Sequence, residues 1–518
     1  MPNAAQEILR AGDDASVALR VHADDRRLAI TRGELRRLVR QTAAALARRG
    51  VEEEQRVIVA LPDCPEYVAA VLGAMWNGSV PVLVSTFLPV DGHAAFLEES
   101  RARAVVTTEP IAEALRAAGS RGVALLTVRG DGGGTFREAI EAESSGAEAF
   151  PAQADDAALW LYSSGTTGRP KGVVHLHRGV LHAIDSFGAR VLETTGHDVS
   201  YATSKLFFAY GLGAGLYFPL AAGGAAVLSP EPFQPARSWR ILVEERPSLL
   251  FSVPAAYRAL LEHAPAEAPA ALAGVRRFVC AGEALPEALS QAWKERFGVE
   301  LLNGLGSTES LHIFLSARPG RGRPGTVGHP VPGYEVEIVD GEGSAVACGT
   351  PGTLRVRGDS VAAGYWERPE ATARAFGGGW LTTGDQAVQD ADGAFRILGR
   401  TDDMLKVSGQ WVWPLDVEAV VLSVSGVSEC GVVGAPGDGG LTELVACVVA
   451  PLEKGDDVRA RIDAACSERL PRFKRPKRIL FFEALPRTAT GKLQRFALRD
   501  ACVSLGFRRR PGRAAPPA

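Results

Sequence analysis

Apolar and polar positions alternate in blocks along the first half of the chain. Short apolar runs recur at RVIVAL (56–61), VPVLVS (80–85), AVVTT (104–108) and VALLTV (123–128), with helical stretches between them. Such runs, too short for buried helices, predict strands covered on both faces, hence a parallel, doubly wound sheet. Thr31 and Glu34 form a capping-box pattern that opens a helix running to Gly50. The pattern then repeats in ALWLYSSG (158–165), SLLFSVP (248–254), RFVCAGEALP (277–286) and GVELLNGLGSTE (298–309), each read as a strand leading into a turn. Beyond about residue 330 the period changes. YEVEIVD (334–340) and GTLRVRG (352–358) alternate with period two, which predicts a more exposed antiparallel part. A boundary falls near GRTDDMLKVSG (399–409), and VSECGVVGAP and ELVACVVAP beyond it predict two strands of a small α+β unit. FRRRPGRAAPPA (507–518) reads as a solvated, disordered tail.

Composition narrows the class. At 518 residues the chain exceeds one hydrophobic core, so two or more domains are expected. Hydrophobic residues at 46%, charged residues at 23% and a net charge of −3 are ordinary for a soluble globular protein and suggest neither a nucleic-acid nor a polybasic membrane surface. Seven cysteines without a C-x-x-C spacing argue against a disulfide framework or zinc site. They read as small buried hydrophobes in a reducing compartment. The N-terminus MPNAAQEILRAGDDAS has neither the basic region nor the apolar core of a signal peptide. Residues 206–230 carry no charge and are long enough to span a bilayer, but five glycines and Pro219 interrupt them. A buried helix and strand is the expectation, with no membrane partner.

The candidate chemistry begins at YSSGTTGRPKG (162–172). It is not a Walker A loop, because Arg169 and Pro170 separate Gly168 from Lys171 and no Ser or Thr follows the lysine. Still, Gly165 and Gly168 can turn backbone amides inward, Ser163, Ser164, Thr166 and Thr167 add hydroxyls, and Lys171 adds a positive charge. Such a nest suits a polyphosphate. Taken alone it reads almost as well as a surface turn. Three later motifs shift the balance. Thr308 and Glu309 in GSTE can donate to a phosphate oxygen and hold Mg²⁺; Asp385 in LTTGD suits ribose hydroxyls; Lys492 in TATGKLQR can reach into a cleft.

Together YSSGTTGRPKG, AGEALP, LNGLGSTE, GTPGTLRVRG, WLTTGD, GRTDDMLKVSG, PRFKRPKRI and PRTATGKLQR resemble the adenylate-forming superfamily of acyl-CoA synthetases, adenylation domains and luciferases, over nearly the whole chain. SKLFFAYGLGAGLYFPLAAGG and GSTESLHIFLSARPG look like its benzoate–CoA ligase branch. The resemblance implies an α/β protein. A large N-terminal domain (1–399) of doubly wound sheets plus a β-rich part precedes a hinge (400–402) and a small mobile α+β lid (403–506). It also implies two half-reactions. A carboxylate attacks the α-phosphate of ATP and pyrophosphate leaves; a thiol then displaces AMP to give a thioester.

By resemblance Ser163, Ser164, Gly165, Thr166, Thr167, Gly168 and Lys171 line the pyrophosphate loop. Gly282, Glu283, Ala284, Asn303 and Gly304 frame adenine, with Leu305 where the superfamily often has a stacking Tyr. Thr308 binds the α-phosphate, Glu309 the Mg²⁺, and Asp385 and Arg400 the ribose. Lys492 bridges the substrate carboxylate and the α-phosphate. Asp402 is the hinge, and Lys406 and Gly409 belong to the thiol tunnel. Phe208, Ala209, Tyr210, Gly211, Gly306, His312 and Ile313 line an acyl pocket suited to a flat ring, although core packing also explains residues of this kind. Asp185 would meet a ring amino group only if it faced that pocket, and a solvated carboxylate is the simpler reading. Trp413 departs from the branch, where a small residue is expected near the tunnel.

The expected activity is therefore a cytoplasmic, Mg²⁺- and ATP-dependent aryl-CoA ligase. A stand-alone adenylating enzyme that loads the phosphopantetheine of an acyl-carrier protein shares every motif. The basic stretch PRFKRPKRI suits either the 3′-phosphate of coenzyme A or an acidic carrier. A nucleotide-binding protein without activity is disfavoured by the intact Lys171, Glu309, Asp385 and Lys492. A homodimer is left open.

Overall fold

The computed structural model describes residues 3–143, 146–163, 170–407, 410–437, 442–451, 455–487 and 493–508. Among these the chain builds a large N-terminal unit of two mainly parallel sheets and one antiparallel sheet, and a smaller C-terminal unit. The first sheet has the spatial order Gly364–Tyr365, Lys171–Leu176, Ala157–Ser163, Val80–Leu83, Arg56–Ala60, Ala104–Thr108 and Ala124–Val128. The last five of these run parallel, and the first two are antiparallel additions. The predicted strands at 56–61, 80–85, 104–108 and 123–128 are all here. Four of the five residues of Arg56–Ala60 and all of Val80–Leu83 are buried, as the apolar runs require of strands covered on both faces.

The second sheet has nine strands, with Val199–Ala202, Leu249–Ser252, Arg277–Cys280 and Leu301–Gly306 near its centre. Its far edge is made by Val17–His22 and Arg27–Thr31, which the sequence had not revealed as strands. Val17–His22 pairs parallel with Ala225–Leu228, so the beginning of the chain closes a sheet whose other strands come some 180 residues or more later. The helix that follows, Arg32–Arg48, carries the predicted capping box. Glu34 N donates to Thr31 Oγ1 at 3.2 Å, and Thr31 N donates back to Glu34 Oε2 at 2.8 Å.

One hydrophobic core joins both sheets. Helix Pro65–Trp76 lies in it, with every residue buried except Glu66. The uncharged stretch 206–230 lies in it too. It forms the helical turns Ala209–Leu212 and Phe218–Ala221, joined by a π-helical turn over Gly213–Tyr217, then the buried strand Ala225–Leu228. No helix among the described residues is long and apolar enough to cross a membrane.

Beyond residue 330 the antiparallel sheet appears as the period-two pattern predicts. Glu335–Val339, Gly352–Arg357, Trp380–Gln389 and Phe395–Arg400 pair in turn, and Gly352–Arg357 alternates buried and more exposed positions. The C-terminal unit holds Glu429–Pro436, Thr442–Val449 and Arg478–Phe482 in a sheet covered by Pro414–Leu422, Gly455–Arg469 and Arg495–Arg508. The last helix runs two residues into the segment read as tail, because its turns continue past Gly506; 509–518 lie outside the described residues.

Arg32 ties the start of helix Arg32–Arg48 to the segment that leads into strand Ala225–Leu228. Buried at the start of its helix, it donates to Leu220 O at 3.2 Å and also to Gly224 O. A Cβ at Gly12 would stand 2.4 Å from its Nε, and Gly12 has φ +81°, so only glycine leaves it room. Arg32→Met leaves Gly224 O without its donor and Leu220 O with only the Gly223 N–H at 3.1 Å. It is expected to lower stability by about 2–3 kcal/mol, read as a shift of the urea midpoint of the large unit.

Candidate active site

The chemistry-bearing turn follows strand Leu301–Gly306. Ser307 N donates to Ser310 Oγ at 3.1 Å, Ser310 N to Ser307 Oγ at 3.1 Å, and Leu311 N to Thr308 O at 3.2 Å. Leu311 sits at φ +66°, a left-handed conformation that costs a branched residue energy and is held only by its surroundings. Those surroundings are the loop 360–362: Ser360 Oγ donates to Ser310 O at 2.7 Å and Ala362 N to Glu309 O at 2.8 Å. The turn thus holds Thr308 and Glu309 half-buried.

Tyr365 connects that turn to the first sheet. Its hydroxyl donates to Glu309 Oε1 at 2.9 Å, and Lys171 Nζ stands 4.8 Å from the centre of its ring. Burial first, and then the Glu309 carboxylate, push the phenol well above its ordinary range, so it stays a donor. Lys171 opens strand Lys171–Leu176 directly opposite Ser163. Ser164, Gly165, Thr166, Thr167 and Gly168, the centre of the predicted phosphate loop, lie outside the described residues.

Asp385 and Arg400 face each other across two antiparallel strands, with Nη1 3.2 Å from Oδ1. Arg400 also donates to Thr383 O at 2.8 Å. Gly384, between them at φ +74°, leaves room for the guanidinium, since a Cβ there would lie 3.0 Å from Nη2. Burial works against the Arg400 charge. Asp385, Glu309 and Asp402 outweigh it and raise its pKa. Lys171, Tyr365, Glu309, Arg400 and Asp385 therefore form one electrostatic cluster built by three sheets.

Asn303 lies upstream on the same strand. Its Nδ2 donates to Thr326 O at 2.8 Å, whereas its buried Oδ1 finds no donor among the described residues. An orphan acceptor of this kind fits the amino group of adenine. Gly282, at φ +95°, turns the chain after strand Arg277–Cys280, and Glu283 and Ala284 follow it. Gly304 pairs with Ser316, and Leu305 beside it is half-buried.

Of the predicted acyl-pocket residues, Tyr210, Gly306 and Ile313 lie beside His312. Its ring lies 4.6 Å from Phe218, 5.2 Å from Phe187 and 5.7 Å from Tyr210. Two π-helical turns, Ile184–Ala189 and Gly213–Tyr217, supply part of this aromatic shell. Gly213 is required, because a Cβ there would stand 2.5 Å from His312 Cδ2, and Gly306 likewise has the His312 carbonyl at 2.4 Å. Ile313 pairs with Gly306. Ala209 and Gly211 follow Phe208 on the adjoining helical turn, and the Phe208 ring packs on Phe207 at 4.6 Å. Neither ring nitrogen of His312 meets a hydrogen-bond partner among the described residues. The Tyr210 hydroxyl donates to Val279 O at 2.9 Å. Asp185 is exposed and paired with Arg190 at 2.5 Å, so it faces solvent.

Where the two units meet, Arg400 belongs to the large unit through Asp385, while Asp403 is held by Arg495 at 3.2 Å. Arg495 also grips Glu418 of the small unit with both Nη atoms, at 2.5 and 3.0 Å. Only Thr401 and the exposed Asp402 stand between these anchors. Lys406 is exposed with Nζ 5.6 Å from the Trp411 ring. Trp413 packs toward Gly399, where a Cβ would be 3.7 Å from its ring, so in this arrangement its bulk is spent beside the strand leading to Arg400. Gly409 and Lys492 lie outside the described residues. Sequence reasoning missed Tyr365. The available signal was the aromatic pair in GYW, but its partners are 56 and 194 residues away.

A charged cluster, an orphan acceptor at Asn303 and a packed aromatic shell lie along one strand end. The chain belongs to the AMP-binding enzyme family: that model matches residues 10–366, and the AMP-binding enzyme C-terminal domain matches 416–492. It is 39% identical to a benzoate–CoA ligase of Thauera aromatica, over 87% of each chain. A crystal structure of a benzoate CoA ligase from Burkholderia xenovorans LB400 superposes with a TM-score of 0.89 at 37% identity, covering 96% of this chain and 100% of that one. The anthranilate CoA ligase AuaEII, in complex with anthranoyl-AMP, gives 0.91 at 33% identity, covering 98% of each.

Buried histidines make stability depend on pH. Burial pushes His312 down to about 3, and His175 and His177 to about 4. His177 Nδ1 accepts from Ala4 N at 3.0 Å, which requires the neutral ring. Since the unfolded chain binds these protons near pH 6.5, stability is full above that value and falls as pH drops toward 4. Each group contributes up to about 1.4 kcal/mol per pH unit. The urea midpoint should fall between pH 7.5 and 5.5, and His312→Phe should make the fall shallower; an unchanged slope would contradict the neutral His312.

Proposed function

We propose that this chain activates an aromatic carboxylate with ATP, releasing pyrophosphate, and then transfers the acyl group from acyl-AMP to the thiol of coenzyme A. The observation that carries this reading is the position of the Lys171–Tyr365–Glu309–Arg400–Asp385 cluster beside the aromatic shell around His312, a few residues apart on one turn. The named activities of the relatives support it.

In the first half-reaction a substrate carboxylate oxygen bonds to the α-phosphorus, and the bond to the bridging oxygen breaks. The acid is already ionised at neutral pH, so no enzyme base is needed. The task is to bring two anions together and neutralise the growing charge. Lys171 and the 164–168 loop would hold the departing phosphates, Thr308 the α-phosphate, Asp385 and Arg400 the ribose, and Asn303 Oδ1 the adenine amino group. Among the described residues no three His, Cys, Asp or Glu side chains could hold a metal. Glu309, whose orientation Tyr365 holds, is the residue that would hold Mg²⁺, which when bound would neutralise phosphate charge. In the second half-reaction the thiol sulfur attacks the acyl carbon, loses its proton, and AMP leaves.

Lys492 supplies the charge that bridges the substrate carboxylate and the α-phosphate. The segment 400–402 is the hinge about which the lid (403–506) turns between the two half-reactions. ATP and coenzyme A as co-substrates are in keeping with a cytoplasmic reaction.

The direct test is mass spectrometry of enzyme, Mg·ATP and coenzyme A with a mixture of benzoate, hydroxybenzoates and aminobenzoates. Aryl-CoA is the expected product. Acyl-AMP without aryl-CoA would point to a carrier protein as acceptor, and no consumption of ATP would overturn the reading. Lys492→Ala should abolish acyl-AMP formation while sparing thioester formation from preformed acyl-AMP; equal loss of both contradicts the role. Asp402→Pro should slow the thioester step by at least about tenfold more than adenylation, measured on the separated half-reactions.

A further inference from the structure

The sheet of the small unit is covered on both faces, and alternation along its central strand, Thr442–Val449, decides which residue meets which cover. Leu444, Ala446 and Val448 pack with helices Pro414–Leu422 and Gly455–Arg469, whereas Val445 and Cys447 pack with Leu498 and Cys502 of the last helix, Arg495–Arg508. Gly431 stands opposite Cys447 on the neighbouring strand. A Cβ there would lie 2.8 Å from Leu498 Cδ1, so the glycine lets this helix settle close to the sheet. The result is a buried pair of thiols, with Cys447 Sγ 3.3 Å from Cys502 Sγ. Arg478, on the strand at the other side, is in register with Val445 and so shares that face. Its Nε and Nη2 are buried and meet no hydrogen-bond partner among the described residues. The Cys447 thiol, donating to Cys502, and then the Arg478 charge hold Cys502 below the ordinary thiol range against burial, and Cys447, as the donor, is pushed well up. At Cys64 and Cys280, also buried, burial dominates and pushes the thiol well up.

We propose that Cys447 and Cys502 are a peroxide-responsive dithiol, closing to a disulfide that ties the last helix to the sheet. Cys502 is the attacking sulfur, because the unpartnered guanidinium beside it favours a thiolate. Its sulfur bonds to one oxygen of hydrogen peroxide and the O–O bond breaks. The departing hydroxide takes the proton that Cys502 gave up and becomes water. The Cys447 sulfur then bonds to the Cys502 sulfur, and the sulfenic hydroxyl leaves with the Cys447 proton as a second water. The two sulfurs lose two electrons and the peroxide gains them. For this the sulfurs close from 3.3 Å to about 2.0 Å. Peroxide is scarcely larger than water, and terminal elements open locally at low free-energy cost, so burial slows access without barring it. Thiol reductants reverse the bond by exchange. The same helix begins with Arg495, which holds Asp403 and Glu418, so the disulfide stiffens the element to which Asp403 is anchored.

The test treats the reduced full chain with hydrogen peroxide under native conditions. Remaining thiols are blocked with N-ethylmaleimide and peptides are mapped by mass spectrometry without reductant. A cross-link between the peptides of Cys447 and Cys502 is expected, reversed by dithiothreitol. Arg478→Met should slow its formation at least about fivefold and Arg478→Lys less. In Cys447→Ser, dimedone should trap Cys502 as the sulfenic acid, whereas in Cys502→Ser Cys447 should stay reduced. No cross-link in the folded wild type, or one formed only in urea, would overturn the proposal, as would Cys502 carried to the sulfinic acid without a cross-link. Trapping at Cys447 instead, or an unchanged rate in Arg478→Met, would overturn the roles given to Cys502 and Arg478. Hydrogen–deuterium exchange at 495–504 should be slower in the oxidised chain than in the reduced one, and equal exchange would overturn the tie between helix and sheet.

Discussion

The hydrogen bond from Tyr365 to Glu309 is the joint on which the site depends. Tyr365 sits on a two-residue strand added to the edge of the first sheet, and Glu309 sits on a turn at the end of a second-sheet strand. Nothing local would bring these together. The bond fixes a carboxylate that must meet positive charge, and the other face of the residue, its ring, meets Lys171. Because burial keeps the phenol protonated, the contact is a permanent donor–acceptor pair rather than a competing ionisation. A single side chain thus sets the spacing between a cation from one sheet and an anion from the other.

The rest of the site follows from two kinds of constraint. Around His312, packing decides. Glycines at 213 and 306 let backbone and ring approach His312 more closely than any side chain would allow, and the π-helical turns widen the helix where aromatic rings enter. Around Arg400 and Arg495, charge decides. Arg400 keeps its proton against burial because three carboxylates surround it, and Arg495 is held between Glu418 and Asp403 in the same way. The second arrangement leaves Thr401 and Asp402 as the only residues between an anchor on the large unit and an anchor on the small unit.

Much of this was legible in the sequence where the determining forces are local. The buried strands announced themselves as short apolar runs, the helix at 32–48 by its capping box, and the antiparallel sheet by its period of two. The motif residues were legible as a set, because their order along the chain resembles one superfamily. The edge strands at 17–31 were not. Val17–His22 alternates Arg20 and His22 with aliphatic residues and has no partner nearby, and only pairing with Ala225–Leu228 makes it a strand of the second sheet. Tyr210 was read only as one of the residues lining a pocket for a flat ring. Its hydroxyl proved to satisfy the Val279 carbonyl, a need visible only once the two elements are packed.

What the sequence determined by itself is the inventory: an α/β chain of two units, a charged and hydroxyl-rich set of residues, and an apolar, partly aromatic set. These depend on residue type and short-range spacing, which the chain carries directly. The tertiary structure alone decided the pairings. It set Tyr365 on Glu309, turned Asp185 to solvent, packed Trp413 beside Gly399 and placed Arg487 between Glu283 and Glu429. Each of these depends on which of many chemically similar partners the packed core brings within about 3–4 Å, and the hydrogen-bond, ionic and contact energies that distinguish them vanish beyond that range.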